Sequence, residues 1–313
     1  MIVGAILAGG YGKRLKPITD EIPKVLVEVK NNFTIMDRQI LDFKYLGIKD
    51  VYILSGHLGE KIEERYGKVH NGIRFHYLKE EKPMGTLFSI RNLLEKLDGE
   101  DLILRNGDTI TDINFKHFAS FSQQSSFGMV MLVTRMKSPY GIVETNGDQV
   151  VSFREKPVLD HYINSGLYYI KNSTKDVFFE EYNGKDVEIT AFPEISKKRL
   201  LGAYKEDALW IGVDSEKELE QARKEYKGRE DTEYGYRKEI YSNEKIRIME
   251  YLVKEDHEAS ISKEDGNLLR FMVGDGIIDG GKKDVYSSGS VFKIEGKLIL
   301  RPNHSTRLEV ISD

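Results

Sequence analysis

Residues 2–15 read IVGAILAGGYGKRL, and this stretch decides the fold. Residues 2–8 are apolar or small, which is typical of a β-strand buried in a parallel sheet. Glycines follow at positions 9, 10 and 12. Because glycine has no Cβ, backbone N–H groups of such a loop can approach and hold phosphate oxygens, and Arg14 adds a planar cation that can grip a polyphosphate. The stretch predicts a strand and a phosphate-binding loop, with an ordinary strand–helix turn as the alternative.

Two familiar nucleotide-binding motifs do not fit this loop. A Walker A loop needs Ser or Thr where this chain has Arg14, and glycine where it has Leu7. A dinucleotide-binding loop needs Gly or Ala at Leu15. The loop therefore argues against a P-loop NTPase and against a nicotinamide-dependent oxidoreductase.

Outward from the loop, apolar runs alternate with segments of helical period. The pattern predicts helices over 34–46, 58–66, 86–97 and 219–226, and strands over 2–8, 50–55, 73–78 and 102–105. Such alternation predicts an α/β fold, a Rossmann-like and mostly parallel sheet with helices on both faces. Because ligands bind at the carboxyl ends of these strands, we expect the site in the loops after Ala8, Leu78 and Arg105.

The pattern changes near residue 227. The polar stretch KGREDTEYGY at 227–236 contains two glycines and predicts a linker. Short β-rich runs separated by turn residues follow it, which predicts a small all-β sandwich or barrel. The predicted division is a domain at 1–227 that carries the site, a linker at 228–236 and an all-β domain at 237–313.

Composition excludes several classes of protein. The 313 residues include 47 Lys and Arg against 51 Asp and Glu, a net charge of −4, so nucleic-acid binding is not expected. No apolar run approaches the roughly 20 residues that span a bilayer, and no basic residues precede the first apolar run, as they would in a secretory signal. The chain has no cysteine, which excludes disulfides, thiolate zinc sites and cysteine nucleophiles. We expect a cytoplasmic protein without membrane contact.

A longer motif continues from the glycine loop. Residues 9–19 fit GGxGxRLxPxT and residues 23–29 fit PKxLxxV. Together they resemble the signature of sugar-1-phosphate nucleotidyltransferases, also called nucleotide-sugar pyrophosphorylases. Further segments resemble that family in chain order: PMGT at 83–86, NGD at 106–108, YGIV at 140–143, FREKP at 153–157, INSG at 163–166 and WIGVDS at 210–215. The resemblance covers roughly residues 1–226 and implies the nucleotide-diphospho-sugar transferase fold.

The resemblance also implies a reaction. A sugar 1-phosphate would join the α-phosphorus of a nucleoside triphosphate, and pyrophosphate would leave. Such a site must offset the repulsion of two polyanions and hold an in-line geometry. The resemblance implies Arg14 and Lys24 as catalytic cations. It implies nucleotide-binding residues Ala8, Gly9, Gly10, Gly12, Glu80, Gly85 and Thr86, and sugar-phosphate-binding residues Asp108, Gly141, Glu155, Lys156 and Asn164.

Asp108 and Asp214 are the metal ligands that the resemblance implies. Mg²⁺ binds through one or two carboxylates together with substrate phosphates, so Mg²⁺ is the expected cofactor. The family often has the second acid two places earlier, where this chain has Gly212. The role therefore passes to Asp214.

Glu80 bears on the choice of nucleotide. It lies where the family places a Gln or Glu that reads the base. A carboxylate only accepts hydrogen bonds, so it fits the N1–H and N2–H₂ donors of guanine and can also accept from N3–H of uracil or thymine. The sequence favours GTP, and NGDTITDINF and INSG resemble guanylyltransferases for mannose or heptose 1-phosphate.

Other functions stay open or lose support. A thymidylyl- or uridylyltransferase for glucose 1-phosphate and a catalytically silent regulatory paralogue stay open. A glycosyltransferase that consumes nucleotide-sugars would need an Asp-x-Asp motif after the fourth strand. Ile110 stands where its second acid belongs.

Residues 237–313 resemble a cupin-type jelly roll, through FMVGDG at 271–276 and GSVFKI at 289–294. The metal ligands of cupins are not in place, because Asn267 stands at the position of their glutamate and no histidine lies at 261–263. His257 and His304 could converge on a metal, but a structural or dimerisation role is favoured. We expect a homo-oligomer, a dimer or a tetramer, whose ligands are an NTP and a sugar 1-phosphate.

Overall fold

The computed structural model describes residues 1–30, 33–206, 208–226, 228, 230–242 and 245–312. They form two compact units, unit 1 at Met1–Arg223 and unit 2 at Lys224–Asp313. Among the described residues, no helix combines the length and apolar character that crossing a membrane requires.

Unit 1 alternates strands with helices over most of its length. Its strands are β1 (Ile2–Ala8), β2 (Glu28–Lys30), β3 (Phe33–Thr34), β4 (Asp50–Ser55), β5 (Val69–His70), β6 (Ile73–Lys79), β7 (Asp101–Asn106), β8 (Thr109–Thr111), β9 (Met129–Lys137), β10 (Ile142–Asn146), β11 (Gln149–Arg154), β12 (Val158–Ile170), β13 (Leu201–Lys205) and β14 (Trp210–Gly212). Its α-helices are α1 (Ile18–Glu21), α2 (Ile35–Tyr45), α3 (Gly59–Tyr66), α4 (Thr86–Leu94), α5 (Phe115–Gln124), α6 (Ala191–Lys197) and α7 (Glu216–Glu225), of which α7 contains the boundary between the units.

The central sheet of unit 1 has eight strands in the order β13-β9-β12-β7-β1-β4-β6-β5. Strands β7, β1, β4 and β6 are parallel neighbours. Strand β12 runs antiparallel to both β7 and β9. The predicted α/β class is confirmed, and β12 makes the sheet mixed rather than wholly parallel.

Alternating side chains of the strands pack under helices on both faces of the sheet. On one face, Ile103 of β7 lies in a core shared with Phe43 of α2 and Phe118 of α5. On the other, Leu102 lies in a core shared with Ile90 of α4. Each such aliphatic or aromatic side chain contributes about 1.5–3 kcal/mol when it is fully buried. This double burial explains why these strands are continuous apolar runs.

The bounds of the helices can be compared with those that the sequence predicts, and a local signal fixes the start of α2. Thr34 caps α2 because its side chain accepts from the Asp37 N–H, while Asp37 accepts from the Thr34 N–H, a reciprocal capping box. The helix predicted at 86–97 ends at Leu94, since residues 95–97 continue as tight turns. The predicted helices at 34–46 and 58–66 are observed as α2 and α3.

Unit 2 is all β. Its strands are β15 (Glu230–Thr232), β16 (Gly235–Ser242), β17 (Arg247–Val253), β18 (Ala259–Ile261), β19 (Leu268–Val273), β20 (Gly276–Asp279), β21 (Lys283–Tyr286), β22 (Val291–Lys293), β23 (Leu298–Pro302) and β24 (Thr306–Ser312). They form a six-stranded sheet, β15-β16-β17-β24-β19-β22, and a four-stranded sheet, β18-β23-β20-β21. One apolar core joins side chains of both sheets, so the predicted all-β domain is confirmed as a sandwich.

The segment predicted as a linker differs from that prediction. Residues 230–232 pair antiparallel with 235–237, which makes this part a hairpin of unit 2. Lys227 and Arg229 lie outside the described residues. Glu230 and Arg237 are partners across the two strands and form an ion pair, 2.7 Å apart, where an apolar pair would mark the strands in the sequence. The alternation that marks a strand is therefore missing from the sequence.

The two histidines of unit 2 that could have shared a metal have separate partners. His304 Nδ1 lies 2.8 Å from Asp275 Oδ1, and His257 Nδ1 lies 2.9 Å from the Glu255 carbonyl oxygen. Within the described ranges, no group of three or more His, Cys, Asp or Glu side chains could hold a metal ion.

Candidate functional site

A cavity of about 320 Å³ opens at the carboxyl ends of β1, β6 and β7, where the sequence predicts the site. Its lining residues come from the ends of β1, β4 and β7, from the loops after β1, β6 and β7, from the start of α4 and from one more segment: Leu7, Ala8, Gly9, Gly10, Tyr11, Lys24, Val25, Leu54, Glu80, Pro83, Gly85, Thr86, Ser89, Asn106, Gly107, Asp108, Asp186 and Glu188. The cavity thus collects eight of the predicted site residues: Ala8, Gly9, Gly10, Lys24, Glu80, Gly85, Thr86 and Asp108.

The glycine loop is shaped by its neighbours. Gly12 has a φ of +59°, and a Cβ there would lie 2.7 Å from Thr19 Cγ2. The Thr19 hydroxyl donates to the Gly12 carbonyl at 2.8 Å, which closes the loop against the start of α1. At Gly10, by contrast, a Cβ would meet no atom within 4 Å. The open side of the loop at Gly10 is the side from which an anion can reach the backbone.

Lys24 joins two carboxylates at the edge of the cavity. Its Nζ lies 2.8 Å from Asp108 Oδ2 and 2.5 Å from Asp214 Oδ1. Arg14 also contacts Asp214, at 3.0 Å. The Lys24 side chain is only 12% exposed, so its charge is poorly screened by water. The structure therefore brings Arg14, Lys24, Asp108 and Asp214 into one cluster, although they are up to 200 residues apart in the sequence.

The charges of this cluster change the pKa of one member. Burial of the Asp214 carboxyl tends to raise its pKa, but the hydrogen bond and the charge of Lys24, helped by Arg14, outweigh this effect. The pKa of Asp214 therefore lies below its ordinary value, and the group is ionised at neutral pH.

One strand pairing and the hydrogen bonds beside it place the two carboxylates side by side. Strand β8 follows Asp108 directly and pairs antiparallel with β14, which ends just before Asp214. The Val213 N–H donates to the Asp108 carbonyl at 2.8 Å. Glu218 in the first turn of α7 accepts from the Asp214 N–H at 3.0 Å and from the Ser215 N–H at 2.8 Å. Asp214, and not Gly212, thus occupies the position facing Asp108.

Another part of the cavity is lined by Glu80, Pro83, Gly85 and Thr86. The Glu80 carboxylate accepts from the Ser89 hydroxyl and from the Met84 N–H, the latter at 3.2 Å. These contacts hold its side chain in place at the cavity. Gly85 has a φ of +92°, and a Cβ there would collide with the Lys185 backbone. The conformation of this turn requires glycine.

Sequence reasoning did not find the segment at 185–188. It docks on the start of α4, because the Leu87 N–H donates to the Lys185 carbonyl at 2.9 Å and the Val187 N–H donates to the Thr86 hydroxyl at 2.9 Å. Buried Val187 lies between exposed Asp186 and Glu188, whose side chains line the cavity. The only sequence signal was this acid-apolar-acid alternation, which is common in exposed strands.

Four predicted sugar-phosphate residues do not line the cavity: Gly141, Glu155, Lys156 and Asn164. The first three lie at the base of the hairpin β10–β11, which forms a separate two-stranded sheet. Lys156 pairs with Glu155 at 3.5 Å, and both side chains are about half exposed or more. The Asn164 amide is used internally, since it donates to the Tyr168 hydroxyl at 2.8 Å and accepts from the Gly166 N–H at 3.0 Å. The sugar-binding roles of these residues stay predictions.

The donor set at Asp108 and Asp214 suits a hard divalent cation. Oxygens of both carboxylates converge on one point, where the Lys24 ammonium now lies. Mg²⁺ needs one or two protein carboxylates and takes its remaining ligands from water and substrate phosphates. The residues present therefore fit the cation that the sequence implies.

The chain is similar in sequence to known proteins. The chain is 30% identical over 232 residues to a mannose-1-phosphate guanyltransferase of Candida albicans, covering 69% of this chain and 62% of that protein. It is 28% identical over 231 residues to one of Yarrowia lipolytica, covering 69% and 61%. The chain thus spans about three fifths of the length of these relatives.

Solved structures show the same fold in unit 1. A UDP-glucose pyrophosphorylase in complex with UDP-glucose superposes with a TM-score of 0.58 at 16% identity, covering 72% of this chain and 98% of that one. HddC from Yersinia pseudotuberculosis superposes with a TM-score of 0.55 at 22% identity, covering 72% and 99%. The model of the family described as Nucleotidyl transferase matches residues 3–229, and the chain belongs to that family.

Proposed function

We propose that this protein transfers a nucleotidyl group from a nucleoside triphosphate to a sugar 1-phosphate. The observation that carries the proposal is the cluster at the edge of the cavity, where the little-exposed Lys24 contacts both Asp108 and Asp214 beside an open glycine loop. A cluster of this kind can hold phosphates and offset their charge. Family membership and the names of the relatives support the same reaction.

The reaction needs no covalent intermediate with the enzyme. An oxygen of the sugar phosphate attacks the α-phosphorus of the NTP and forms a new P–O bond. The bond from the α-phosphorus to the bridging oxygen of the β-phosphate breaks, and pyrophosphate leaves with the electron pair. The catalyst must therefore hold two anions in line and stabilise the charge of the transition state.

The residues of the chain divide this work between them. Backbone N–H groups of Gly9 and Gly10 donate hydrogen bonds to the phosphate chain on the open side of the loop. Arg14 holds the β- and γ-phosphates as a planar, bidentate cation. Lys24 stabilises charge that develops at the α-phosphate, and its low exposure strengthens this interaction. Mg²⁺, when bound by Asp108 and Asp214, supplies further neutralisation of the phosphate oxygens.

GTP is the nucleotide that we propose. Glu80 lines the same cavity as the glycine loop and is anchored by Ser89 and Met84. Its carboxylate only accepts hydrogen bonds, which fits the N1–H and N2–H₂ donors of guanine. The relatives named as mannose-1-phosphate guanyltransferases support guanine as the base and a mannose-type sugar 1-phosphate as acceptor. A glucose-1-phosphate thymidylyl- or uridylyltransferase is the alternative.

A pyrophosphate-release screen tests the proposed reaction. Purified protein with Mg²⁺ is mixed with each of GTP, ATP, dTTP and UTP, and with the 1-phosphates of mannose, glucose, galactose and a heptose. We expect pyrophosphate release to require both an NTP and a sugar 1-phosphate, with the highest kcat/KM for GTP and a mannose-type acceptor. Activity with no pair would contradict the proposal and favour a catalytically silent regulatory role.

Glu80→Gln tests the choice of base. Glutamine both donates and accepts, which suits uracil and thymine better than guanine. We expect the ratio of kcat/KM for GTP to that for UTP to fall by about tenfold or more, because a mismatched buried polar group costs on the order of 1–3 kcal/mol. Glu95→Gln, at an exposed position after α4 that lines neither this cavity nor its neighbour, is the control. An unchanged ratio in Glu80→Gln would remove Glu80 from base recognition.

A further inference from the structure

Gln39, in the middle of α2, is fully buried beneath the turn that carries Asp108. Its Nε2 donates to two backbone carbonyls, that of Asn106 at 2.9 Å and that of Thr109 at 3.1 Å. These carbonyls lie on either side of the dipeptide formed by residues 107 and 108. A single side-chain amide therefore holds both ends of the turn.

Within the turn, the Thr109 hydroxyl also donates to the Asn106 carbonyl, at 3.1 Å, and backbone contacts hold the rest. The Gly107 N–H donates to the Leu7 carbonyl at 2.9 Å, and a Cβ on Gly107 would collide with that carbonyl and with Val25. The Asp108 carbonyl accepts from the Val213 N–H. Gln39 donates to this turn from α2, an element that lies outside the turn. The carboxylate of Asp108 is thereby left to face Lys24.

An amide at this position carries a cost to stability as well as its two donated hydrogen bonds. The Oε1 atom of Gln39 is buried and has no hydrogen-bond partner among the described residues. A buried polar atom without a partner destabilises a protein relative to an apolar side chain of the same shape. Methionine would fill the same space without this cost but would remove both hydrogen bonds that the amide donates. The amide is therefore explained by the two carbonyls that it holds.

Polar contacts also fix α2 to the strand that leads into the turn. Buried Asp42, one helical turn after Gln39, forms ion pairs with Arg38 at 2.8 Å and with Arg105, the residue before Asn106. Gln39 thus acts from a helix that is tied to the end of β7 at a second point.

We infer that Gln39 is a positioning residue for nucleotidyl transfer, which orients Asp108 toward Lys24 and Asp214 through the carbonyls of Asn106 and Thr109. The inference rests on the proposed function for its effect on rate. It adds to that function a group that touches neither substrate, and its effect on geometry can be measured without any reaction.

The variant that tests the inference is Gln39→Met, which keeps the side-chain volume and removes both donated hydrogen bonds. We expect kcat to fall by about 10- to 100-fold and the Mg²⁺ concentration for half-maximal rate to rise by about tenfold, as for other groups that orient metal-binding side chains. The KM for the NTP should stay within about threefold, because the glycine loop and residues 80–86 are unchanged. A crystal structure of the metal-free variant should show the turn at 106–109 displaced and the contact between Lys24 and Asp108 lost.

Ser122→Ala is the matched control, since it removes another buried hydrogen bond from a side chain to a backbone carbonyl, in α5. It should lower Tm by an amount similar to Gln39→Met and leave kcat and its Mg²⁺ dependence unchanged. If Gln39→Met does not fold, Gln39→Asn replaces it. That side chain keeps the donors but is too short to reach both carbonyls, so the same changes are expected at smaller size.

The outcomes separate the inference from the proposed function. If the wild-type protein is inactive with every substrate pair, the proposed function fails. Crystal structures of the metal-free wild type and of Gln39→Met would still decide the role of Gln39. An unmoved turn with the Lys24–Asp108 contact retained, together with a kcat within about twofold of wild type, would overturn the inference. The inference would also be overturned if kcat fell only in proportion to the fraction of folded protein, and did so equally in Gln39→Met and Ser122→Ala.

Discussion

The two units of this chain use their interiors in opposite ways. Unit 1 leaves a cavity of about 320 Å³ at the end of its parallel strands and places Lys24 and Asp108 there. Unit 2 fills the space between its sheets, where the rings of Phe271 and Tyr286 stack with centroids 3.9 Å apart. Its charged side chains pair at the surface instead, as Asp275 does with exposed His304.

Topology accounts for the difference. Parallel strands begin and end on the same edges, so the loops after β1, β6 and β7 meet at one edge and enclose a space. In an antiparallel sandwich, alternate side chains of both sheets meet in the middle and close it. The contrast teaches that chemistry should depend on a few residues of unit 1, whereas unit 2 should respond chiefly in stability.

Removing one carboxylate from unit 1 should have the largest effect. Asp108→Asn leaves Lys24 without one of its two anionic partners and removes a proposed metal ligand. We expect kcat/KM in the pyrophosphate-release assay to fall by about 1,000-fold, equivalent to about 4 kcal/mol of transition-state stabilisation. Asp275→Asn removes a paired carboxylate from unit 2 and should leave the rate unchanged. Similar losses in both variants would contradict the contrast between the units.

A core substitution in unit 2 should affect stability instead. Phe271→Ala removes a fully buried ring that stacks on Tyr286, and we expect it to destabilise unit 2 by about 3–4 kcal/mol. Calorimetry should show a lower Tm for this unit, while kcat measured about 10 °C or more below the new midpoint stays near wild type. Met272→Ala, at the neighbouring exposed position, should change Tm little. If kcat falls in parallel with the stability of unit 2, the units are not separable in function.

A glycine comparison sharpens the role of the phosphate loop. Gly12 and Gly47 both have positive φ, +59° and +74°, so alanine strains either backbone by about 1 kcal/mol. Only at Gly12 would the new Cβ press on Thr19 and distort the loop. We expect Gly12→Ala to raise the KM for the NTP by about tenfold, equivalent to 1.4 kcal/mol. Equal KM values for Gly12→Ala and Gly47→Ala would show that this loop does not hold the nucleotide.

The smallest expected effect depends on pH and lies on the sheet of unit 1, away from the cavity. A hydrogen bond from Arg74 is the main cause that lowers the pKa of Asp50 to about 2, against burial and with help from His76. Since the pKa in the folded state is below the ordinary 3.8, this ionised carboxylate stabilises the protein above pH 3.8, and the contribution is lost as pH falls toward 2.

Asp50→Asn should therefore lower the free energy of unfolding at pH 7 by about 1–2 kcal/mol. Denaturant unfolding of both proteins at pH 7, 4 and 3 (about one to five units above the folded pKa) should show the difference shrinking below pH 4. A difference that is constant or grows as pH falls would contradict the assigned cause. The rate of nucleotidyl transfer at pH 7 should not change.

Much of the fold and of the phosphate end of the site could be predicted from the sequence. Gly9 to Leu15 and Lys24 lie within one short motif, and their geometry follows from a single strand-loop-helix unit. Asp108 and Asp214 could be predicted because each ends a recognisable segment. The contacts that unite them, such as the pairing of β8 with β14, are long-range and leave no local pattern.

Other parts of the site depend on tertiary packing and could not be predicted. Gln39 is one polar residue within a helix, and only its burial under the Asp108 turn shows its contacts. Asp186 and Glu188 reach the cavity because their segment docks on α4. Residues 230–232 form a strand although their polar sequence predicts a linker, because an ion pair stands there in place of apolar alternation.

A crystal structure with Mg²⁺ and a non-hydrolysable GTP analogue tests the central claim most directly. We predict density for the phosphates against residues 9–12, the base beside Glu80 and Gly85, and one metal ion in contact with oxygens of both Asp108 and Asp214. Lys24 should then leave its position between the carboxylates and contact the α-phosphate. A nucleotide bound elsewhere, or a metal ion that touches neither carboxylate, would contradict the account.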